Sequence, residues 1–109
     1  MLRYRALLGL NVILVGDLIL LEVLRGARDE SHATRLERYL RRFEVVAMLD
    51  DRIATSAARN YRTLRARGIT IRKTVDLIIG TYCIEHGHAL LHDDRDFEPM
   101  HEHLGLLVA

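Results

Sequence analysis

Short runs of apolar residues alternate along the chain with stretches in which apolar residues recur at helical spacing. The runs predict four strands: Val12–Val15, Phe43–Leu49, Ala89–Leu91 and Leu106–Val108. The helical spacing predicts five helices: Asp17 to about Arg25, a helix that starts after Ser31, Asp50–Arg67, Thr74 to Glu85 or His86, and Phe97 to His103. Strands that alternate with helices predict an α/β sandwich, in which helices flank a mostly parallel central sheet.

Glycines and capping residues define the ends of these helices. Gly26, Gly68 and Gly87 each follow a predicted helix as a stop residue. Asp17 and Thr74 stand where the side chain of an N-cap residue is expected. Local signals therefore predict the boundaries as well as the elements.

Length and composition indicate one domain that spans residues 1–109. Half of the residues are hydrophobic and the formal charge is +1, which excludes a disordered tail and a protein held to nucleic acid by bulk charge alone. The apolar stretch Leu7–Leu24 contains Asn11, Asp17 and Glu22, and each central acidic residue opposes membrane insertion by about 2.5 to 3.5 kcal/mol. We therefore expect a cytoplasmic protein, and the single cysteine agrees with a reducing compartment.

Two carboxylates interrupt apolar helix faces. Glu22 lies within the apolar stretch Leu18–Leu24, where the alternative interpretation is a solvated helix edge paired with Arg25. Asp76 shares its face with Ile79, Gly80 and Cys83, and a carboxylate on an apolar face is costly unless it is paired or bound to a cation. Both residues are candidates for a functional site.

Two further carboxylates follow the predicted strand Ala89–Leu91. Asp94 and Asp96 therefore stand at the carboxyl end of a strand, where open α/β sheets build their sites. The alternative for Asp96 is N-capping of the short helix that carries Pro99 in its first turn. Clustered carboxylate oxygens select Mg²⁺ or Mn²⁺, and such sites activate water against phosphodiesters.

Two segments of the chain carry a family resemblance: LILLEVLRG and the later ITIRKTVDLIIGTYCIEHGHALLHDDRDFEPM. In this order they resemble the PIN-domain ribonucleases of the VapC toxin type, and the resemblance runs from about Val12 to the C-terminus. Its most specific parts are Thr74-Val75-Asp76 and the segment His92–Phe97, in which His92 stands where the family usually has threonine.

The resemblance implies a magnesium- or manganese-dependent endoribonuclease that acts on RNA and is neutralised by a small antitoxin. Glu22 matches the family's acidic residue on an early helix, and Asp76 matches the central metal aspartate. Asp94 and Asp96 match the pair that completes the site. These four residues are the expected catalytic and metal-binding residues.

One acidic position of the family has no match in this chain. The family's first aspartate ends an N-terminal strand in the middle of the sheet, whereas only 21 residues precede Glu22 here. Asp17 is the one candidate substitute, and we expect it to be a helix cap instead. The expectation is a PIN-like domain that lacks its first strand, and the alternative to a ribonuclease toxin is then a catalytically impaired protein that binds an antitoxin or itself. Loss of a strand also predicts a homo-oligomer such as a dimer, with candidate apolar contacts at Leu20, Leu24, Leu36 and Leu40.

Basic residues and histidines complete the list of candidates. Arginine forks suit phosphate, so one basic stripe is a candidate RNA contact, with a solvated helix face as the alternative. Its members are Arg52, Arg59, Arg62, Arg65, Arg72 and Lys73. A zinc site is disfavoured because the His-x-His pairs lack a second close cysteine, and Cys83 is expected to be a core residue.

Overall fold

The computed structural model describes residues 6–9, 12–92 and 95–109. The strands are β1 (Ala6–Gly9), β2 (Val12–Gly16), β3 (Glu44–Val46), β4 (Ala89–Leu91) and β5 (Leu107–Val108). The helices are α1 (Asp17–Arg25), α2 (Glu30–Leu40), α3 (Asp51–Ala66), α4 (Thr74–His86) and α5 (Glu98–Leu104), and a 3₁₀ turn (Arg95–Phe97) precedes α5. The predicted alternation of strands and helices is confirmed.

One sheet joins the five described strands in the order β3-β2-β1-β4-β5. β2 pairs with β3 in parallel, as β4 does with β5, whereas β1 runs antiparallel to both β2 and β4. The four strands predicted from the sequence therefore all point the same way. The middle of the sheet, where we expected a missing strand, is occupied by Ala6–Gly9 in the opposite direction, a strand that the apolar pattern did not predict.

The helix starts show where local capping rules held and where they were wrong. Asp29 and Asp50 cap α2 and α3, since their side chains accept hydrogen bonds from the backbone N–H groups of His32 and Ile53, both at 2.8 Å. Asp17 does not cap α1: Gly16 holds the N-cap position, and Asp17 Oδ1 accepts a 3.1 Å bond from the N–H of Met48. This bond joins the start of α1 to the segment after β3.

The N-cap predicted for α4 was wrong by one residue, although the helix begins at Thr74 as predicted. Lys73 holds the N-cap position without a side-chain bond, and Thr74 is the first helical residue. The C-terminal end agrees with the prediction, because Gly87 adopts the left-handed conformation with φ +66°. A residue with a Cβ atom rarely adopts this conformation, which is why the stop falls at glycine.

The core is organised around α4, which packs against α3, β4 and the 3₁₀ turn. Every residue from Asp76 to Cys83 is buried, so α4 is enclosed on all sides rather than on one face. Gly80 allows a close approach of α5: a Cβ atom there would lie 2.1 Å from Sδ of Met100. Met100 and Phe97 are themselves completely buried, which fixes the chain after β4 against the start and middle of α4.

The apolar face of α2 is covered within the chain. Leu36 and Leu40, which we expected in a contact between copies, are only 7% and 3% exposed because α2 packs against α1. Leu20 and Leu24 are half-buried. The proposed association surface at these residues is therefore wrong for Leu36 and Leu40.

Within the described residues, no helix is long and apolar enough to cross a membrane.

Candidate functional site

The carboxyl ends of β2, β3, β4 and β5 lie at one edge of the sheet because these strands share one direction. α1 begins directly at the end of β2, and the 3₁₀ turn follows the end of β4. Polar groups that follow parallel strands meet at such an edge, which is where open α/β sheets place their sites. The candidate carboxylates can be located relative to this edge.

Asp76 lies in the first turn of α4 and is completely buried. Its neighbours on the same helix face, Ile79, Gly80 and Cys83, are buried as well, as the spacing of these residues indicated. A carboxylate is normally among the most exposed groups of a protein, because removing its charge from water is costly.

Asp96 lies in the 3₁₀ turn and is exposed. The alternative interpretation as an N-cap is wrong, because Phe97 holds the N-cap position of α5 and makes no side-chain capping bond. Asp96 instead lines a groove of about 290 Å³. The groove is formed by Thr70–Lys73, which lead into α4, and by Arg95, Asp96 and Pro99. The start of α4 and the segment after β4 therefore form one surface.

Glu22 is half-buried on α1, five residues after Asp17. At a rise of about 1.5 Å per residue, it lies about 7.5 Å along the helix axis from Asp17. Asp94 lies outside the described residues. Of the four predicted site residues, Asp76 and Asp96 are placed on elements in contact with each other, and Glu22 lies on a separate helix.

The donor set suits a hard divalent cation by its chemistry, since every candidate ligand is a carboxylate. Within residues 6–9, 12–92 and 95–109, no three acidic, histidine or cysteine side chains come close enough to hold a metal ion. A complete set of ligands therefore needs a donor from elsewhere, and Asp94 is the candidate that the sequence supplies between the end of β4 and Asp96.

His92 occupies the position at which the family motif has threonine. Its ring packs against Phe97, with ring centroids 4.8 Å apart and planes tilted by 51°. Phe97 is fully buried, so this contact ties the end of β4 to the 3₁₀ turn. The imidazole therefore contributes to the packing that positions Asp96.

The predicted basic stripe divides into two parts. Arg72 and Lys73 line the groove that contains Asp96, and Arg95 lines the same groove. Arg52 on α3 instead forms a long ion pair with Glu85, at 3.8 Å. The remaining members of the stripe, exposed along α3 and absent from the groove lining, are Arg59, Arg62 and Arg65. Sequence reasoning missed Arg95, although its place between the two motif aspartates was a usable signal.

A histidine pair and the single cysteine lie toward the other end of α4. The ring of His86 stacks on that of Tyr82 at 4.1 Å and on that of His88 at 5.8 Å. Burial, and secondly the neighbouring His86, lowers the pKa of His88. Burial raises the pKa of the Cys83 thiol to about 12, which agrees with the predicted core position.

These features define an α/β domain whose candidate site consists of carboxylates on α1, at the start of α4 and after β4. The family model of the PIN domain matches residues 2–101, and the chain belongs to this family. The resemblance inferred from the two motif segments is thus confirmed.

The chain is similar to two curated mycobacterial proteins. It is 35% identical over 80 residues to VapC ribonuclease Mb1587 of Mycobacterium bovis and to ribonuclease VapC11 of Mycobacterium tuberculosis. The aligned segment covers 73% of this chain and 60% of each relative, so the match spans less than two thirds of their length.

Proposed function

We propose that this protein is a divalent-metal-dependent endoribonuclease that acts as the toxin of a toxin-antitoxin pair and hydrolyses phosphodiester bonds of RNA. Its membership of the PIN family and its similarity to proteins named VapC ribonucleases support this proposal. RNA as the substrate assigns the activity to the cytoplasm.

The observation that carries the proposal is the complete burial of Asp76 in the first turn of α4. A buried carboxylate lowers the stability of a domain unless its charge is used or neutralised. Asp76 lies at the end of α4 that borders the groove containing Asp96. A buried acidic group beside an exposed one, at the edge where the strands end, is the arrangement expected for a cation site.

Glu22, Asp76, Asp94 and Asp96 are the residues that would hold Mg²⁺ or Mn²⁺. With the cation bound, the site would provide a water of lowered pKa and a positive charge beside the leaving oxygen. Asp76 is held rigidly by the packing of α4, so it fixes the position of the site relative to the core. Asp96 is exposed in the groove, where an RNA phosphate can reach it.

The proposed partners are a small antitoxin, RNA and a second copy of this chain. Since Leu36 and Leu40 are buried, a homodimer contact has to use other apolar side chains. Leu21 on α1 and Leu49 after β3 are 59% and 51% exposed and are two candidates. We propose that these side chains, rather than the face of α2, are covered in the assembled protein.

The proposal is tested by neutralising Asp76. Asp76→Asn keeps the size of the side chain and removes its charge, so Mn²⁺-dependent cleavage of a single-stranded RNA with a fluorophore and quencher should fall at least a hundredfold. If the four carboxylates converge, removal of one charge also raises the melting temperature of the metal-free protein. The increase in melting temperature on addition of Mn²⁺ should shrink, because a ligand of the folded state stabilises it less when it binds more weakly.

Asp51→Asn is the matched control, since Asp51 is an exposed aspartate in the first turn of α3. It should leave cleavage and the response to Mn²⁺ intact. Full cleavage by the wild-type protein in EDTA would contradict metal dependence. An unchanged Mn²⁺ response of Asp76→Asn would show that Asp76 is a structural residue and remove the central ligand from the proposal.

A further inference from the structure

Two segments of the chain contribute basic side chains to the groove that contains Asp96. Arg72 and Lys73 come from the segment that leads into α4, and Arg95 comes from the 3₁₀ turn. All three side chains are exposed, and Asp96 is the one acidic residue among the described residues that line the groove. The described part of the lining therefore brings three basic side chains together, although the whole chain carries a formal charge of only +1.

Arg41 pairs with Glu37, Arg52 with Glu85 and His103 with Glu102, and these pairs lie outside the groove. Arg72, Lys73 and Arg95 take part in none of these three ion pairs. Their separation along the chain indicates that the fold assembles this cluster, because Arg95 follows Lys73 by 22 positions.

We propose that this groove binds the backbone phosphates of single-stranded RNA next to the bond that is cleaved. The inference rests on the proposed ribonuclease function, which places the scissile phosphate near Asp96. A strand that reaches Asp96 passes Arg72, Lys73 and Arg95, because the same groove contains all four residues. Arginine binds phosphate through two parallel N–H donors, and lysine adds a point charge.

The size of the groove favours a single strand over a duplex. About 290 Å³ is close to the lower limit for cavities that hold small ligands, roughly 300 Å³. Such a space accommodates one nucleotide unit. Ile71 and Pro99 add apolar surface to the lining, which suits the sugar and base of an unpaired nucleotide better than a hydrated duplex backbone. By contrast, Arg59, Arg62 and Arg65 lie outside the groove and are not part of this site.

The test measures binding without cleavage. A fluorescein-labelled single-stranded oligoribonucleotide is mixed with the full chain in EDTA, which removes the divalent metal that the proposed hydrolysis requires. Fluorescence anisotropy then gives the affinity of the full chain at several salt concentrations. For a single strand, the logarithm of the affinity falls with the logarithm of salt by about 0.7 for each phosphate contact.

The double variant Arg72→Gln/Lys73→Gln should lower this slope by about 1.4. If the affinities converge near 1 M salt, the loss at 0.1 M salt is about 25-fold. Arg95→Gln should lower the slope by about 0.7. The matched control is Arg35→Gln/Arg38→Gln, which removes the same charge from exposed positions on α2 and should leave the slope unchanged. A thermal melt of each variant verifies folding.

The outcomes separate this inference from the proposed function. Equal slopes for the wild-type protein and Arg72→Gln/Lys73→Gln, together with loss of cleavage in Asp76→Asn, would overturn the groove and leave the ribonuclease standing. If the groove variants lower the slope as expected but the wild-type protein shows no metal-dependent cleavage, the ribonuclease function is overturned and the phosphate-binding groove stands. If polyglutamate displaces the oligonucleotide as well as unlabelled RNA does, the groove accepts an acidic protein, and the RNA site is refuted.

Discussion

The contact between Gly80 and Met100 provides a quantitative test of how α4 and α5 are held together. A Cβ atom at position 80 would lie 2.1 Å from Sδ of Met100, whereas ordinary contacts begin at 3.4 Å. The sulfur would have to move by about 1.3 Å, but Met100 is completely buried and its neighbours are packed. We expect Gly80→Ala to destabilise the protein.

Two opposing contributions determine how much Gly80→Ala changes the free energy of unfolding. Overpacking of a core costs about 1 to 3 kcal/mol. Alanine is better than glycine inside a helix by about 1 kcal/mol, which offsets part of this cost. We therefore expect a net loss of up to about 2 kcal/mol, measured by urea denaturation. In a domain of this size, each kcal/mol corresponds to a decrease in melting temperature of about 4 to 8 °C.

A double-mutant cycle isolates the clash. Met100→Val removes the sulfur, so Gly80→Ala should be less destabilising in that background by about 1 kcal/mol. Ala58→Gly, at an exposed position in the middle of α3, measures the helix-propensity contribution separately. The same displacement of α5 should weaken RNA cleavage, because the 3₁₀ turn with Asp96 directly precedes this helix.

An increase in stability of Gly80→Ala by about 1 kcal/mol, as propensity alone requires, would refute the packing argument. Additive effects of Gly80→Ala and Met100→Val would refute it as well, since the two residues would then not be coupled.

Two further predictions concern titratable groups toward the other end of α4. Because burial raises the pKa of Cys83 to about 12, the native protein should not react with an aromatic disulfide reagent at pH 8, whereas the guanidinium-unfolded chain should react at once; rapid native labelling would contradict this. The lowered pKa of His88 means that the unfolded chain binds more protons, so this residue's contribution to stability is present above pH 6.5 and is lost as the pH falls below that value. Urea midpoints at pH 5.5 and 7.5 should therefore differ less in His88→Asn than in the wild-type protein, and an equal difference would assign the pH dependence to other groups.

Most elements could be predicted because their signals are local. Ile53, Ala57 and Leu64 recur at helical spacing within the predicted helix Asp50–Arg67, and the structure buries all three. α4 ends at Gly87, which adopts the left-handed conformation that commonly terminates a helix. This signal is local, because it depends on the last turn of the helix and not on the residues that pack around it. The spacing of Asp76 on an apolar face likewise indicated its burial before any packing was known.

The middle of the sheet was decided by tertiary structure. An apolar run indicates that a strand forms, but not which strand lies beside it or in which direction, because those pairings join residues far apart in the sequence. The strand Ala6–Gly9 lies between β2 and β4 and runs antiparallel to both. The apolar pattern contained no signal for this pairing. The bond from Met48 to Asp17, over 31 positions, is nonlocal in the same way.

For the candidate site, the sequence by itself determined which residue types are present and in what order, since the motifs around Asp76 and Asp96 are contiguous. Only the tertiary structure decided which basic residues accompany them. Arg72, Lys73 and Arg95 meet in one groove because the start of α4 packs beside the turn after β4, whereas arginines of similar appearance on α3 lie outside it. Composition and helical period cannot make this distinction, because both depend on near neighbours in the chain, and the groove is formed by segments that only packing brings together.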